Sequence, residues 1–324
     1  MAENGKKKKR ILVCPLNWGL GHAARDVAIV SRLADLGHEI VLAGDGTAMD
    51  LMCTEFPELE SYHLKSDLRI RYSRFLPAWL KITFLSPLIL YEVIAEHYRL
   101  GCIIREIKPD IIISDNRYGL WSRNVKSILV THQLSICLPG FIRFLEYPVH
   151  LVIRSLVSRF DRCWIPDFPG EKNLSGVLSH RYPLPRNTVF IGAISRFMQT
   201  RELPDYAGSQ ETGESTDSGN FPRNGKTPPV LFPGQSRPVN LVIILSGPEP
   251  QRSYLQKIVL KQVLSLNSSC VILQGIPGRN DRVDLTSRAT MYSHLPVTKL
   301  RQLLLSAENV ICRAGYTGIM DLFL

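Results

Sequence analysis

No two of the seven cysteines stand close enough to form a Cys-x-x-Cys pair; Cys14, Cys53, Cys102, Cys137, Cys163, Cys270 and Cys312 are scattered singly, mostly inside apolar runs. That spacing excludes a disulfide framework and predicts the reduced thiols of a cytosolic protein. It spells out no metal site either, because His and Cys never cluster at ligand spacing. An unbroken apolar stretch of the ~20 residues needed to cross a bilayer is also lacking. Ile11–Cys14, the first apolar run, is far too short for the core of a signal peptide. Aromatic residues are sparse, at 8%, and are not interleaved with basic ones, which removes the pattern that grips single strands of nucleic acid. No nucleic-acid partner is expected.

What is there is apolar, basic and long. Hydrophobic residues make up 45% of 324, enough to fill real cores and to exclude global disorder. The length suits two domains at ~100–200 residues each. Lys and Arg exceed Asp and Glu by 39 to 29, a net charge of +10, and Lys6 to Lys9 with Arg10 concentrate part of it in a tail over 1–10 that should be solvated and mobile. Anionic lipid surfaces or phosphorylated small molecules account for the rest of the basic excess.

The pattern along the chain is α/β. Arg10–Pro15 reads as a central parallel strand, apolar on both faces. A glycine-bearing loop follows, Leu16-Asn17-Trp18-Gly19-Leu20-Gly21-His22, then a helix over Ala23–Leu36 ended by Gly37, and the strand Glu39–Ala43. This is one βαβ unit with a right-handed crossover. Residues 75–95 are the most apolar segment, broken by Pro77, Lys81 and Pro87; they read as a core or interdomain helix pair, or as a membrane-dipping surface flanked by Arg69, Arg71, Arg74 and Lys81. Three further strands end in polar residues on one rim, at Asp115 and Asn116, at His132 and Gln133, and at Asp167. A doubly wound domain over 11–198 is the expectation. Residues 199–238 turn polar and rich in Gly, Ser and Pro, which predicts a flexible insertion or linker. The α/β pattern resumes over 239–324 with Asn240–Gly247, a helix near 253–266, the strand Cys270–Gly275 and a helix over Val297–Ser306.

The stretch that organises the chain comes last. Val310, Ile311 and Cys312 read as a buried strand, Ala314 and Gly315 as a tight turn, and Thr317 onward as a helix. Helix starts present unpaired N–H groups and a dipole that favours anions, so strand, turn and helix together suit a phosphate. Asp321, about one turn in, is placed to meet ribose hydroxyls. The apolar stop at Leu322-Phe323-Leu324 inside this helix predicts a truncated product whose second domain is incomplete. In the first loop, Gly19-Leu20-Gly21-His22-Ala23-Ala24 also fits G-x-G-x-x-A, with Asp45 where a dinucleotide ribose ligand would fall. The long Pro15–Trp18 approach and the Gly44-Asp45-Gly46 turn speak against an NAD- or FAD-dependent oxidoreductase.

Taken in series, the first glycine pair with His22, the later Leu245-Ser246-Gly247-Pro248 and the Cys312-Arg313-Ala314-Gly315 turn resemble the GT-B glycosyltransferases, and most of all the family 28 branch of the peptidoglycan N-acetylglucosaminyltransferase. The resemblance implies two Rossmann-like doubly wound domains and transfer of a sugar from a nucleoside-diphosphate donor, UDP-GlcNAc-like, to a hydroxyl acceptor, with inversion and without a metal or other cofactor. His22 maps to the candidate general base, with Gly19 and Gly21 letting the acceptor approach; Asp115, Asn116, His132 and Gln133 lie on the acceptor rim. Ser246, Gly247, Arg252, Arg313, Ala314, Gly315, Tyr316 and Thr317 map to donor binding, and Asp321 stands where the family's ribose carboxylate is usually Glu. A lipid-linked acceptor, peripheral contact with the inner face of the membrane and weak activity of the shortened chain are the further expectations. A non-catalytic remnant that binds sugar nucleotide or lipid is the alternative outside enzymes.

Overall fold

The computed structural model describes residues 7–65, 78–198, 239–247 and 249–323. Its first part runs β1 (Arg10–Cys14), α1 (Leu20–Asp35), β2 (Glu39–Gly44), α2 (Gly46–Glu55), β3 (Glu60–His63), α3 (Ala78–Ile107), β4 (Ile111–Asp115), β5 (Lys126–Val130), α4 (Glu146–Val157), β6 (Arg162–Ile165), the short α5 (Val177–His180) and β7 (Thr188–Phe190). The seven strands form one parallel sheet in the order β3-β2-β1-β4-β5-β6-β7.

Strand alternation sorts the apolar residues into two cores. Ile11 and Val13 of β1, with Ile40 and Leu42 of β2, pack among Val27, Val30 and Leu51 of α1 and α2. Leu12, Cys14, Val41 and Ala43 point the other way, onto Leu100, Ile103 and Ile107 of α3. A sheet covered by helices on both faces needs such unbroken apolar strands. Each fully buried aliphatic side chain contributes roughly 1.5–3 kcal/mol relative to exposure.

The second part runs β8 (Leu241–Ile244), α6 (Gln251–Val263), β9 (Cys270–Leu273), β10 (Arg282–Asp284), β11 (Ala289–Tyr292), α7 (Val297–Ser306), β12 (Asn309–Cys312) and α8 (Tyr316–Phe323). Its sheet order is β10-β11-β9-β8-β12, parallel except for β10.

Several expectations change. The first helix begins at Leu20, three residues before Ala23, so Gly21 and His22 lie in its first turn. Instead of a helix pair near 75–95 there is one 30-residue helix, α3, with Pro87 inside it. The helix tolerates Pro87 although the ring can donate no N–H to the preceding turn. Arg10 is not tail but strand, its Nε 3.1 Å from Glu39 and its Nη2 2.6 Å from Glu60. Nor is β12 fully buried: β8 is its one neighbour among the described strands, and Ile311 is 53% exposed. Arg69, Arg71, Arg74 and the 199–238 segment lie outside the described residues. Among those described, no helix is long and apolar enough to cross a membrane.

Gly119, after β4, is pressed against α3. A β-carbon there would overlap the carbonyl oxygen of Val93 and lie 2.7 Å from Glu96 Cβ. Glu96 is itself buried and holds Arg117 at 2.8 Å. Gly119→Ala should therefore cost about 1–3 kcal/mol, the usual penalty for overpacking. An unchanged midpoint of chemical denaturation would show that α3 is free to move away.

Candidate active site

Each sheet reverses its direction of growth once. In the first, β1 leads to β2 on one side while β4 lies on the other; in the second, β8 has β9 on one side and β12 on the other. Loops leaving such strands diverge at their carboxyl ends and open a crevice there. His22 follows β1, and Asp115 ends β4. Ser246 and Gly247 follow β8, and Arg313–Gly315 follow β12. The two crevices face each other across one cleft of about 470 Å³. Contacts between the parts hold it narrow. Thr317 Oγ1 donates to the Gly21 carbonyl at 2.9 Å, Tyr316 donates through its hydroxyl to the Pro166 carbonyl, and the Val297 N–H donates to Glu55 at 3.1 Å.

A buried polar cluster underlies the first wall. Asp115 is fully buried, and Arg25, 1% exposed, grips both its oxygens, through Nε at 3.0 Å and through Nη2. The same guanidinium reaches His22 Nδ1 at 3.0 Å and His132 Nδ1 at 3.1 Å. His22 Nδ1 also meets Asp115 at 3.1 and 3.2 Å, and the ring lines the cleft. Burial by itself would raise the Asp115 carboxyl; Arg25 and His22 outweigh it and hold the group below the usual carboxylate range. For His132, burial and Arg25 act together and push the imidazole down to about 3. Asp26, the next residue on α1, is fully buried with neither oxygen hydrogen-bonded. Burial, and then the negative charge of Asp115, raises its carboxyl well above the ordinary range.

Asn116 takes the left-handed backbone conformation, φ +53°, accepts from Thr131 Oγ1 at 2.7 Å and donates to Gln133 Oε1 at 3.3 Å. It braces the β4 and β5 rims, whereas Gln133 and His132 line the cleft. Gly19, φ +110°, has the backbone that glycine permits. Gly21 makes room for α8: a β-carbon there would sit 3.1 Å from Thr317 Oγ1.

On the second wall, Arg313 donates to the Ser246 carbonyl at 3.2 Å and to Gln251 at 3.1 Å, and a β-carbon on Gly247 would collide with its guanidinium. The β8 and β12 loops are thereby tied together. The Gly315 N–H is taken by the Arg313 carbonyl at 2.7 Å, so the outward donors of this turn belong to Tyr316, Thr317 and Gly318, the first turn of α8. Ser246, Gly247, Ala314, Gly315, Tyr316, Thr317 and Asp321 line the cleft, but Arg252 does not; it is turned to Gln274, Gln256 and Glu249. Asp321 is occupied. Ser195 donates to it at 2.8 Å, and Arg196 Nε lies 3.0 Å from its other oxygen. Asp45, at the head of α2, does not line the cleft.

Solved structures share this architecture. The chain is similar to the glycosyltransferase SnogD from Streptomyces nogalater (12% identity, 97% of this chain and 79% of that one, TM-score 0.53). Spinosyn rhamnosyltransferase SpnG (17%, 96% and 77%, 0.53) and the calicheamicin glycosyltransferase CalG4 (13%, 98% and 77%, 0.52) align over the same extent. The fold is GT-B. No protein-family model and no curated protein matches the sequence. Within this GT-B frame, the residues that sequence reasoning missed are Arg25, Asp26, Ser195 and Arg196. Arg25 and Asp26 read as the polar side of an amphipathic helix, although they point into its core.

Asp26 makes a pH-dependent stability prediction. Its carboxyl is raised in the fold, so the stability it permits is complete below the unfolded value of about 3.9 and is lost as pH rises above it. Asp26→Asn lacks that loss. The variant should gain on the parent by up to about 1.4 kcal/mol per pH unit above about pH 4. A parent-to-variant difference that is flat from about pH 4 to pH 7, measured by denaturation, would mean Asp26 is ionised in the fold.

Proposed function

We propose that this protein is a glycosyltransferase that moves a sugar from a nucleoside diphosphate, UDP-GlcNAc-like in the family 28 manner, to a hydroxyl acceptor. The observation that carries the reading is the facing of two unlike walls across one cleft: His22 backed by Asp115 on one, and the Arg313–Thr317 turn on the other. An imidazole has the right basicity to take a hydroxyl proton near neutral pH. In the reaction, the acceptor oxygen bonds to the anomeric carbon from the face opposite the leaving group, its proton passes to His22, and the bond from carbon to the diphosphate oxygen breaks. This gives inversion. The departing charge meets the N–H groups of the first turn of α8 and the Arg313 guanidinium, a fixed electrostatic environment that needs no metal in this reading. A ribose contact at Asp321 would use the acceptor capacity that its carboxylate keeps beside Ser195 and Arg196.

The oxidoreductase alternative is weakened by Asp45, which does not line the cleft. Calorimetric titration separates the readings. UDP-sugar should bind and NAD(H) should not; NAD(H) binding without UDP-sugar binding removes the transferase reading, and UDP-sugar binding without transfer to any hydroxyl acceptor favours the remnant. His22→Gln should keep donor affinity and lower transfer by roughly 10²–10⁴-fold, the ordinary worth of a general base.

Peripheral membrane contact and a lipid-linked acceptor belong to the same proposal, with a cytoplasmic enzyme working at the inner face. They are supported by the exposed Leu88, Tyr91 and Ile94 on α3 and by Phe141 and Phe144, 70% and 72% exposed, beside Arg143. Phe141→Asp with Phe144→Asp should abolish co-sedimentation with anionic vesicles while leaving UDP-sugar binding intact. Unchanged sedimentation would assign this surface elsewhere.

A further inference from the structure

We infer that Arg25 is a positioning residue that, with Asp115, holds the two cleft imidazoles in opposite tautomers: His22, directed by Asp115, with its proton on Nδ1 and a bare Nε2, and His132, directed by Arg25, with a bare Nδ1 and its proton on Nε2. One ring is thereby a base and the other a hydrogen-bond donor. Assigning those roles in sugar transfer rests on the function proposed above; the tautomers themselves do not.

A guanidinium has donors only, and it does not lose its proton in proteins. Arg25 Nη1 lies 3.1 Å from His132 Nδ1, so that nitrogen must present its lone pair, and a neutral ring then carries its proton on Nε2. Tyr316 lies flat on the same ring, centroids 3.9 Å apart and planes 14° from parallel, which fixes the ring plane while leaving its edge free. The charged and titratable groups facing His132 are Arg25 and His22 from α1, Asp115 from β4, Asp167 beyond β6 and Tyr316 from α8. The two carboxylates favour the cation; burial and Arg25 oppose it and prevail, down to about 3. The ring therefore stays neutral through the interval in which an ordinary imidazole titrates.

At His22 Asp115 decides the tautomer, against the donor that Arg25 also brings near. Its Nδ1 meets both oxygens of Asp115, at 3.1 and 3.2 Å, as well as Arg25 Nη2 at 3.0 Å. A bare Nδ1 would set a lone pair against a carboxylate that stays ionised. A protonated one donates to it, while Arg25 Nη2 donates to the same carboxylate. Nε2 is then the lone pair available to the cleft. When the acceptor O–H bond breaks, its proton goes to His22 Nε2, and Asp115 stabilises the imidazolium. His132 takes no proton; its Nε2–H holds a hydroxyl or phosphoryl oxygen in place. Arg25 divides the roles because one rigid fork fixes Asp115, and through it His22, while donating to His132 as well, whereas a lysine ammonium is a single point charge.

Long-range proton–nitrogen NMR correlations on the full ¹⁵N-labelled chain read the tautomers directly. The eight histidines are assigned with His22→Gln and His132→Gln. The expected result is an Nδ1–H pattern for His22 and an Nε2–H pattern for His132, the latter unchanged from about pH 5 to pH 8. The same tautomer in both rings, or a His132 that titrates in that interval, overturns the inference, and this outcome needs no variant. Arg25→Lys should loosen the His132 tautomer, giving a mixture of Nδ1–H and Nε2–H forms; a folded Arg25→Lys protein with the His132 tautomer unaltered also overturns it. UDP-sugar binding is measured in parallel. Opposite tautomers without UDP-sugar binding leave this inference standing and remove sugar transfer, and the converse result does the opposite.

Discussion

The ion pair between Arg25 and Asp115 is the interaction on which the candidate site depends. Removing two charges from water costs several kcal/mol each, and the pair is tolerable only because its geometry is two-pronged. The grip joins α1, which follows β1, to the end of β4, and so spans the place where the first sheet changes direction. Burial and the neighbouring Asp115 charge raise the Asp26 carboxyl beside it, which favours its neutral form there. Deleting either partner would leave the other charge uncompensated in a dry interior, at a typical cost of about 3–5 kcal/mol.

The second wall is arranged differently. Its polarity is mostly backbone: carbonyls of the β8 loop held by Arg313, and the N–H groups that open α8. The side chains of α8 instead reach across to the first part. Tyr316 covers His132, Thr317 touches Gly21, and Asp321 is held by Ser195 and Arg196. In this state the helix that would receive a diphosphate also closes the cleft, so a ligand entering there competes with those contacts.

Much of the fold was legible in the residues because central parallel strands leave an unmistakable apolar signature. Ile11–Cys14, Ile111–Asp115, Leu241–Ile244 and Cys270–Leu273 all formed the strands their patterns predict. Short edge elements were not legible. Glu60–His63 and Arg282–Asp284 are polar and lie at sheet edges, where no apolar period is needed. At the site, His22, Asp115 and the Arg313–Thr317 turn could be found from glycines and polar strand ends. The grip of Arg25 on Asp115 and His132 could not, since it depends on which face of α1 turns inward near residue 25 and on partners 90 and 107 residues away. Asp321 lines the cleft, and no local pattern reveals that Ser195, 126 residues earlier, already bonds it.

The edges of the second sheet are unlike one another. On β10 the outer strand carries Arg282 and Asp284, charges that discourage a stranger from pairing there. On β12 the outer strand is Asn309-Val310-Ile311-Cys312, without a charge, with Ile311 bare and with Leu305, Ile319 and Leu322 exposed nearby along the chain. Among the described residues, the β12 margin thus sets uncharged backbone beside exposed aliphatic side chains, the combination that accepts a further strand, whereas the charged β10 margin does not.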